Sequence, residues 1–418
     1  MLITLIKFHL KLLYLYFIIK IFGINKSIKN IISFIQFCGP IFIKISQNLI
    51  YKNYISSNLK KELIKLGYKN RYNKIKFPNI PDSFKFNNFD KPLAVGSVAI
   101  VWNGKWNDKN AIIKIVKPNI KNDLNRSKFL FNVFLWWVKL LNKNFNILDT
   151  FEKTYIYQQM YSGLNMNIEK NNLMKFKKSF QPFDKYIKVP DVYYCDKNII
   201  IESEEKGYYI EEFKKLHPDK LEHVINIIQA LFYKMFFDNF LHADIHPANF
   251  FIQLNKFNQP VIVLLDFGLV ESFDSKFFNK LIFLFQQNIF FPDLYKTIQL
   301  LVELNTSKYG NEKIFLNESK QYLDKINFKK QCYMMIYGCD DNTELVPFSQ
   351  IIKNILLIAS QQNIKFPGNI LILLNTFMLV DDYRSINYGN SISWRNRFKF
   401  IKDSGFYDNF KEKIHQII

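Results

Sequence analysis

The chain has 418 residues, 49% of them hydrophobic and 17% aromatic, including 43 Phe and 23 Tyr, and burial on that scale excludes a polypeptide disordered throughout. Its 13 Gly and 13 Pro exclude collagen-like and linker-dominated architectures, and no fixed period marks a repeat array. The formal charge of +21 would alone suggest a nucleic acid or an anionic membrane as partner, but it is nearly all Lys within a whole-chain excess of Lys, Asn, Ile, Phe and Tyr. No groove-reading motif accompanies it, so specific nucleic-acid binding is not expected.

Cys38, Cys195, Cys332 and Cys339 show no C-x-x-C spacing, which points to neither a disulfide framework nor structural zinc but to a reducing compartment. The basic excess gathers at the front, where nine lysines precede the first acid, Glu62.

Residues 1–23 are mostly apolar but interrupted by Lys7, His9, Lys11 and Lys20, which weakens a membrane-spanning reading. Lys7 and Lys11 lie one helical turn apart, as in a helix lying in a membrane interface with Lys toward anionic headgroups. His9 falls on the other side, and a helix packed on the domain fits equally well. No small-residue cleavage site follows, so a secretory signal is not indicated. The lack of acid leaves a mitochondrial destination open.

Residues 94–101, Ala-Val-Gly-Ser-Val-Ala-Ile-Val, map onto the phosphate-covering pattern G-x-G-x-x-G-x-V with Ala at the outer two glycines. Ala94, Val95, Gly96, Ser97 and Val101 are therefore candidate ATP contacts. Apolar runs over 98–102 and 111–116 flank a polar turn at 107–110 and predict a hairpin whose second strand carries Lys114. A lysine in an Ile-rich run costs free energy unless it meets a carboxylate and a phosphate; the alternative is an edge strand with the amine in solvent. Glu169, in the helical-looking stretch 151–180, is the candidate partner, and Glu152 its competitor. Runs at 189–193 and 198–202 read as further strands. Glu202-Ser203-Glu204 falls where an inter-lobe hinge would read the adenine edge, a solvated loop being the plainer reading.

The strongest local signal is His-Ala-Asp-Ile-His-Pro-Ala-Asn over 242–249, followed by Asp266-Phe267-Gly268 after an apolar strand at 261–265. The first has the H-x-D-x-x-x-x-N spacing of a kinase catalytic loop. Asp244 would reach the proton of the attacking nucleophile, while Asn249 and Asp266 would supply the hard oxygen ligands that suit Mg²⁺. A zinc reading of His242, Asp244 and His246 lacks a further spaced ligand. After Gly268 the chain runs almost at once into a helical pattern, with neither room nor motif for the A-P-E segment that docks a peptide substrate.

Together these residues resemble the UbiB (ADCK) family of atypical protein-kinase-like proteins associated with coenzyme Q biosynthesis. Residues 39–47, with Lys44, Ser46 and Gln47, look like that family's K-x-G-Q signature with Ser46 in the glycine place. Residues 94–97 resemble its Ala-rich loop, with Gly96 at a position that is normally Ala. Glu169 with Asn172-Leu173 matches its E-A-x-N-L helix, which favours Glu169 over Glu152. Its H-A-D-x-H-P-G-N loop recurs with Ala248 for Gly, while Gly163 and Asn165 stand where acids or amides are usual. The resemblance implies that Lys44 and Gln47 point into the active-site cleft.

The expected architecture is α+β and bilobal, a protein-kinase-like fold with an N-terminal helical extension over the active site. It divides into an apolar and basic helix for membrane contact (1–30), a K-x-G-Q-like extension (31–85), an N-lobe (86–205) and a largely helical C-lobe (206–418). The expected chemistry is Mg-ATP binding with phosphoryl transfer to water or to a small or lipid-like acceptor. The alternative is a catalytically weak pseudokinase acting as a nucleotide-dependent regulatory module of a membrane complex.

Overall fold

The computed structural model describes residues 2–50, 58–59, 62–63, 79–141, 157, 160–243, 245, 247, 249–285, 293–305, 307, 310–331, 346–371, 373–374, 376, 378 and 394–417. The chain divides into two compact units, one of residues 1–145, 156–174 and 190–205, the other of residues 146–155, 175–189 and 206–418.

In the first unit, helix α1 (Leu2–Lys26) is broken at Gly23, whose φ of +76° no side-chain-bearing residue adopts easily. It is not the free amphipathic rod that Lys7 and Lys11 alone suggest. Phe8 is fully buried against Phe34 of α2 (Ile28–Cys38), and His9 meets Trp137 edge-on. Most of the other apolar residues stay outside, among them Leu2, Ile3, Ile6, Leu10, Phe17 and Ile21. Gly39 turns the chain at φ +92° into α3 (Pro40–Ile50). There the Ile41 amide donates to Ser127 Oγ (3.1 Å) and Phe42 packs on Phe131 of α4 (Ile120–Leu141).

The sheet of this unit comprises β1 (Phe84–Phe86), β2 (Ala94–Val95), β3 (Ala99–Trp106), β4 (Lys109–Val116), β6 (Val192–Cys195) and β7 (Ile199–Ser203). Its strand order is β1-β3-β4-β7-β6, with β2 on the flank of β3. The predicted hairpin is present and its strands run longer than the apolar runs, because Asn107 and Asp108 both take positive φ (45° and 66°). That tight turn matches strand twist and lets polar residues pair right up to it. Trp102, Ile113, Ile115, Ile199 and Ile201 form the buried face. β1 approaches so closely that a Cβ on Gly104 would lie 2.3 Å from the Lys85 carbonyl oxygen.

In the second unit β5 (Ile187–Lys188) lies parallel to β10 (Pro260–Leu264), and β10 pairs antiparallel with β9 (Phe250–Leu254). A separate pair joins β8 (Leu241–His242) to β11 (Val270–Glu271). The helix Leu221–Phe237 is apolar on nearly every side and almost wholly buried, as such a helix must be in a globular unit. The C-terminal helix Phe406–Ile417 stacks Phe410 on its Phe237. Its buried Lys234 is balanced by Asp238, one turn on, and by Ser179 (3.1 Å).

Candidate nucleotide site

Lys114 sits on β4, a central strand with Val101 of β3 opposite on one side and Ile200 of β7 on the other, so the solvent-facing edge is excluded. The residue is 8% exposed, and an amine so placed needs a counter-charge. Glu169, in the first turn of α5 (Met166–Phe180), accepts a hydrogen bond from its Nζ. Glu202 Oε1 lies 3.5 Å from the same nitrogen.

The strand read over 198–202 is present as β7, and only the reading of Glu202 as the start of a hinge or solvated loop is corrected. Glu202 lies within β7 and is fully buried, not in a solvated loop or connecting hinge. The register explains why: Lys114 is opposite Ile200 and Ile112 opposite Glu202, so Glu202 is the diagonal neighbour of Lys114 on the same face. Glu152 lies outside the described residues.

Ala94 pairs with Val101 and Val95 with Ile100, which places the candidate loop residues on a narrow hairpin closed at Gly96. Its amide donates to the Ala99 carbonyl (2.9 Å), and a Cβ at 96 would stand 3.1 Å from that oxygen. Ser97 lies in the turn. Lys44 is part-buried on α3, and Ser46 returns its hydroxyl to the Phe42 carbonyl (2.7 Å), a bond local to its own helix. Gln47 belongs to α3; its side chain lies outside the description.

In the second unit, His242 is almost fully buried on β8 and donates from Nε2 to the backbone carbonyl of Asp266. Its ring packs against Phe176 (5.9 Å between centroids) and Phe267 (5.8 Å). The Asp266 side chain is exposed, its Oδ1 accepting the Gly268 amide (2.9 Å). Asn249 immediately precedes β9, and its carbonyl accepts the Leu265 amide (3.0 Å). Asn249 and Asp266 therefore flank the same end of the β9–β10 hairpin. An amide and a carboxylate oxygen there make a donor set that fits Mg²⁺ better than a softer metal. Asp244, His246 and Ala248 lie outside the described residues.

The model of the ABC1 atypical kinase-like domain matches residues 79–300. This chain belongs to that family of atypical kinase-like proteins. It is similar to the "Probable protein kinase UbiB" of Enterobacter sp. (strain 638), 28% identical over 212 residues that make up 47% of this chain and 38% of the relative. The protein of the same name in Glaesserella parasuis serovar 5 (strain SH0165) is 23% identical over 333 residues, 76% of this chain and 58% of the relative. An "Uncharacterized protein in hydrogenase 1 5'region" of Clostridium pasteurianum is 24% identical over 458 aligned positions, 96% of this chain and 80% of the relative. The chain thus spans less than two thirds of the length of the two UbiB relatives.

Proposed function

We propose that the chain is an atypical kinase or ATPase that binds Mg-ATP. It passes the γ-phosphoryl group to water or to a small or lipid-like acceptor at a membrane, in support of isoprenoid-quinone lipid metabolism. The observation that carries this reading is the buried ion pair of Lys114 with Glu169, a lysine held in one place to meet the α- and β-phosphates.

Lys114 and the loop around Gly96 bind the phosphates. His242 fixes the backbone at Asp266, and Asp266 with Asn249 would hold the metal. Mg²⁺, when bound, neutralises charge on the phosphate oxygens. Asp244 orients the acceptor hydroxyl and takes its proton as the bond from the β-phosphate oxygen to the γ-phosphorus breaks and the bond from the acceptor forms. β11 ends at Glu271 and the next helix begins at Ser275, a connection too short for a peptide-docking segment, which favours a small acceptor. The exposed apolar residues of α1, interleaved with Lys7, Lys11 and Lys20, suit an anionic lipid surface. Glu202, one of the candidate ATP contacts, serves this reading as a second counter-charge to Lys114.

The test is ATP turnover by the purified chain with and without vesicles containing anionic lipid, beside an Asp266→Ala control. Turnover above the control, raised by the vesicles, is expected. Nucleotide binding with no turnover above the control would favour the regulatory-module alternative, and no binding at all would remove both.

A further inference from the structure

The loop that carries Gly96 is tied from a direction the motif does not predict. Lys117, one residue beyond β4, donates from its backbone amide to the Val98 carbonyl (2.9 Å) and from Nζ to the Gly96 carbonyl (2.6 Å). One side chain thus holds the 96–98 turn at the oxygen that its own hairpin leaves over, since the Gly96 amide is already spent on Ala99.

We propose that Lys117 is a positioning residue for nucleotide: pinned on the Gly96 carbonyl, it sets the 96–98 turn where phosphate is received, and its positive charge adds to the field there. This rests on the nucleotide-binding reading given above. A glycine in the closing pair of such a turn leaves the backbone more conformational freedom than any other residue would, and a charge-assisted hydrogen bond to its carbonyl restrains that freedom.

The amine is costly where it stands. Burial pulls the Lys117 ammonium down to about 8, and the Asp123 carboxylate, in the first turn of α4, opposes that shift. Asp123 is the charged group that faces it among the described residues. Between about 8 and its ordinary 10.5 the unfolded chain binds more protons here than the folded one, so this group's contribution to stability rises with pH across that window. The charge offered to phosphate falls across the same window. Apo stability and nucleotide affinity therefore respond to Lys117 in opposite directions.

The test is calorimetric titration of Mg-ATP into the full chain, comparing wild type with Lys117→Met and Lys117→Arg, alongside melting temperatures without nucleotide. Lys117→Met is expected to bind about tenfold more weakly at pH 7, the scale of one good charged contact, while its apo melting temperature stays level or rises because a buried charge is gone. Lys117→Arg should recover most of the affinity. Wild-type affinity should decline from pH 7 to pH 9.5, a decline absent in Lys117→Met. Unchanged affinity in Lys117→Met overturns the proposal, as does a loss matched by an equal fall in apo stability. If wild type binds while Lys117→Met matches it, only this inference fails. If wild type binds no Mg-ATP, the nucleotide reading fails and this inference falls with it.

Discussion

Lys114 and Glu169 stand 55 positions apart in the chain and meet in the interior of the first unit, the amine donating to the carboxylate. Glu202 reaches the same nitrogen from the next strand at 3.5 Å. Among the described residues this arrangement brings one amine to two carboxylates, and the two acids are not equivalent.

Removing one member of a buried ion pair leaves an uncompensated charge, typically at a cost of about 3–5 kcal/mol. Lys114→Met is expected near that range, and Glu169→Gln should cost clearly more than Glu202→Gln, which removes the more distant carboxylate. Urea unfolding of the full chain and its variants measures this. Equal losses for the two glutamate variants would mean that the carboxylates share the amine evenly.

The sheet offers a purely steric test. Since a Cβ on Gly104 would lie 2.3 Å from the Lys85 carbonyl and 2.6 Å from the Phe84 ring, Gly104→Ala must push β1 away from β3. Overpacking of this kind costs about 1–3 kcal/mol, read as a lowered melting temperature. An unchanged melting temperature would show that β1 yields freely.

The thiols give a pH-dependent signature. Burial pushes the Cys38 thiol up to about 12, against the pull of Arg126 and Lys11, and burial likewise pushes Cys195 up to about 11. The thiolate is the reactive form. At pH 8 both should alkylate at least about a hundredfold more slowly than a free cysteine, whose thiolate fraction is set by a pKa near 8.5. In denaturant both should become fully reactive. Peptide mapping by mass spectrometry after timed iodoacetamide treatment reads each site separately, and fast labelling of Cys38 in the folded chain would contradict its burial.

How much of this the sequence discloses depends on the range over which each feature is fixed. The β3–β4 hairpin is legible because a polar turn between two β-branched runs is a local signal. The helix bearing Glu169 and the strand before Asp266 follow from periodicity in the same way. Glu202 is different. Its place beside Lys114 depends on the register of β7 against β4, and no spacing within 198–204 encodes that. The reach of Lys117 back to Gly96 is hidden for a similar reason, since a lysine just past a strand reads as solvated surface until the 94–98 loop is folded over it. α1 shows both limits at once: its apolar content is plain, but which stripe is covered was decided by Phe34 and Trp137, residues on other helices. The K-x-G-Q-like stretch was legible only through resemblance, because Lys44 and Gln47 on a helix carry no chemistry that spacing alone would single out.

The proposed function requires that Lys114 and Asp266 serve one nucleotide and its divalent ion. The measurement that tests it most directly is equilibrium binding of ATP to the full chain with and without Mg²⁺, for wild type, Lys114→Ala and Asp266→Ala. Mg²⁺-dependent binding is expected in wild type, with affinity reduced at least about tenfold in Lys114→Ala and the Mg²⁺ dependence lost in Asp266→Ala. Binding that is the same in all three proteins, or that ignores Mg²⁺ in wild type, would contradict it.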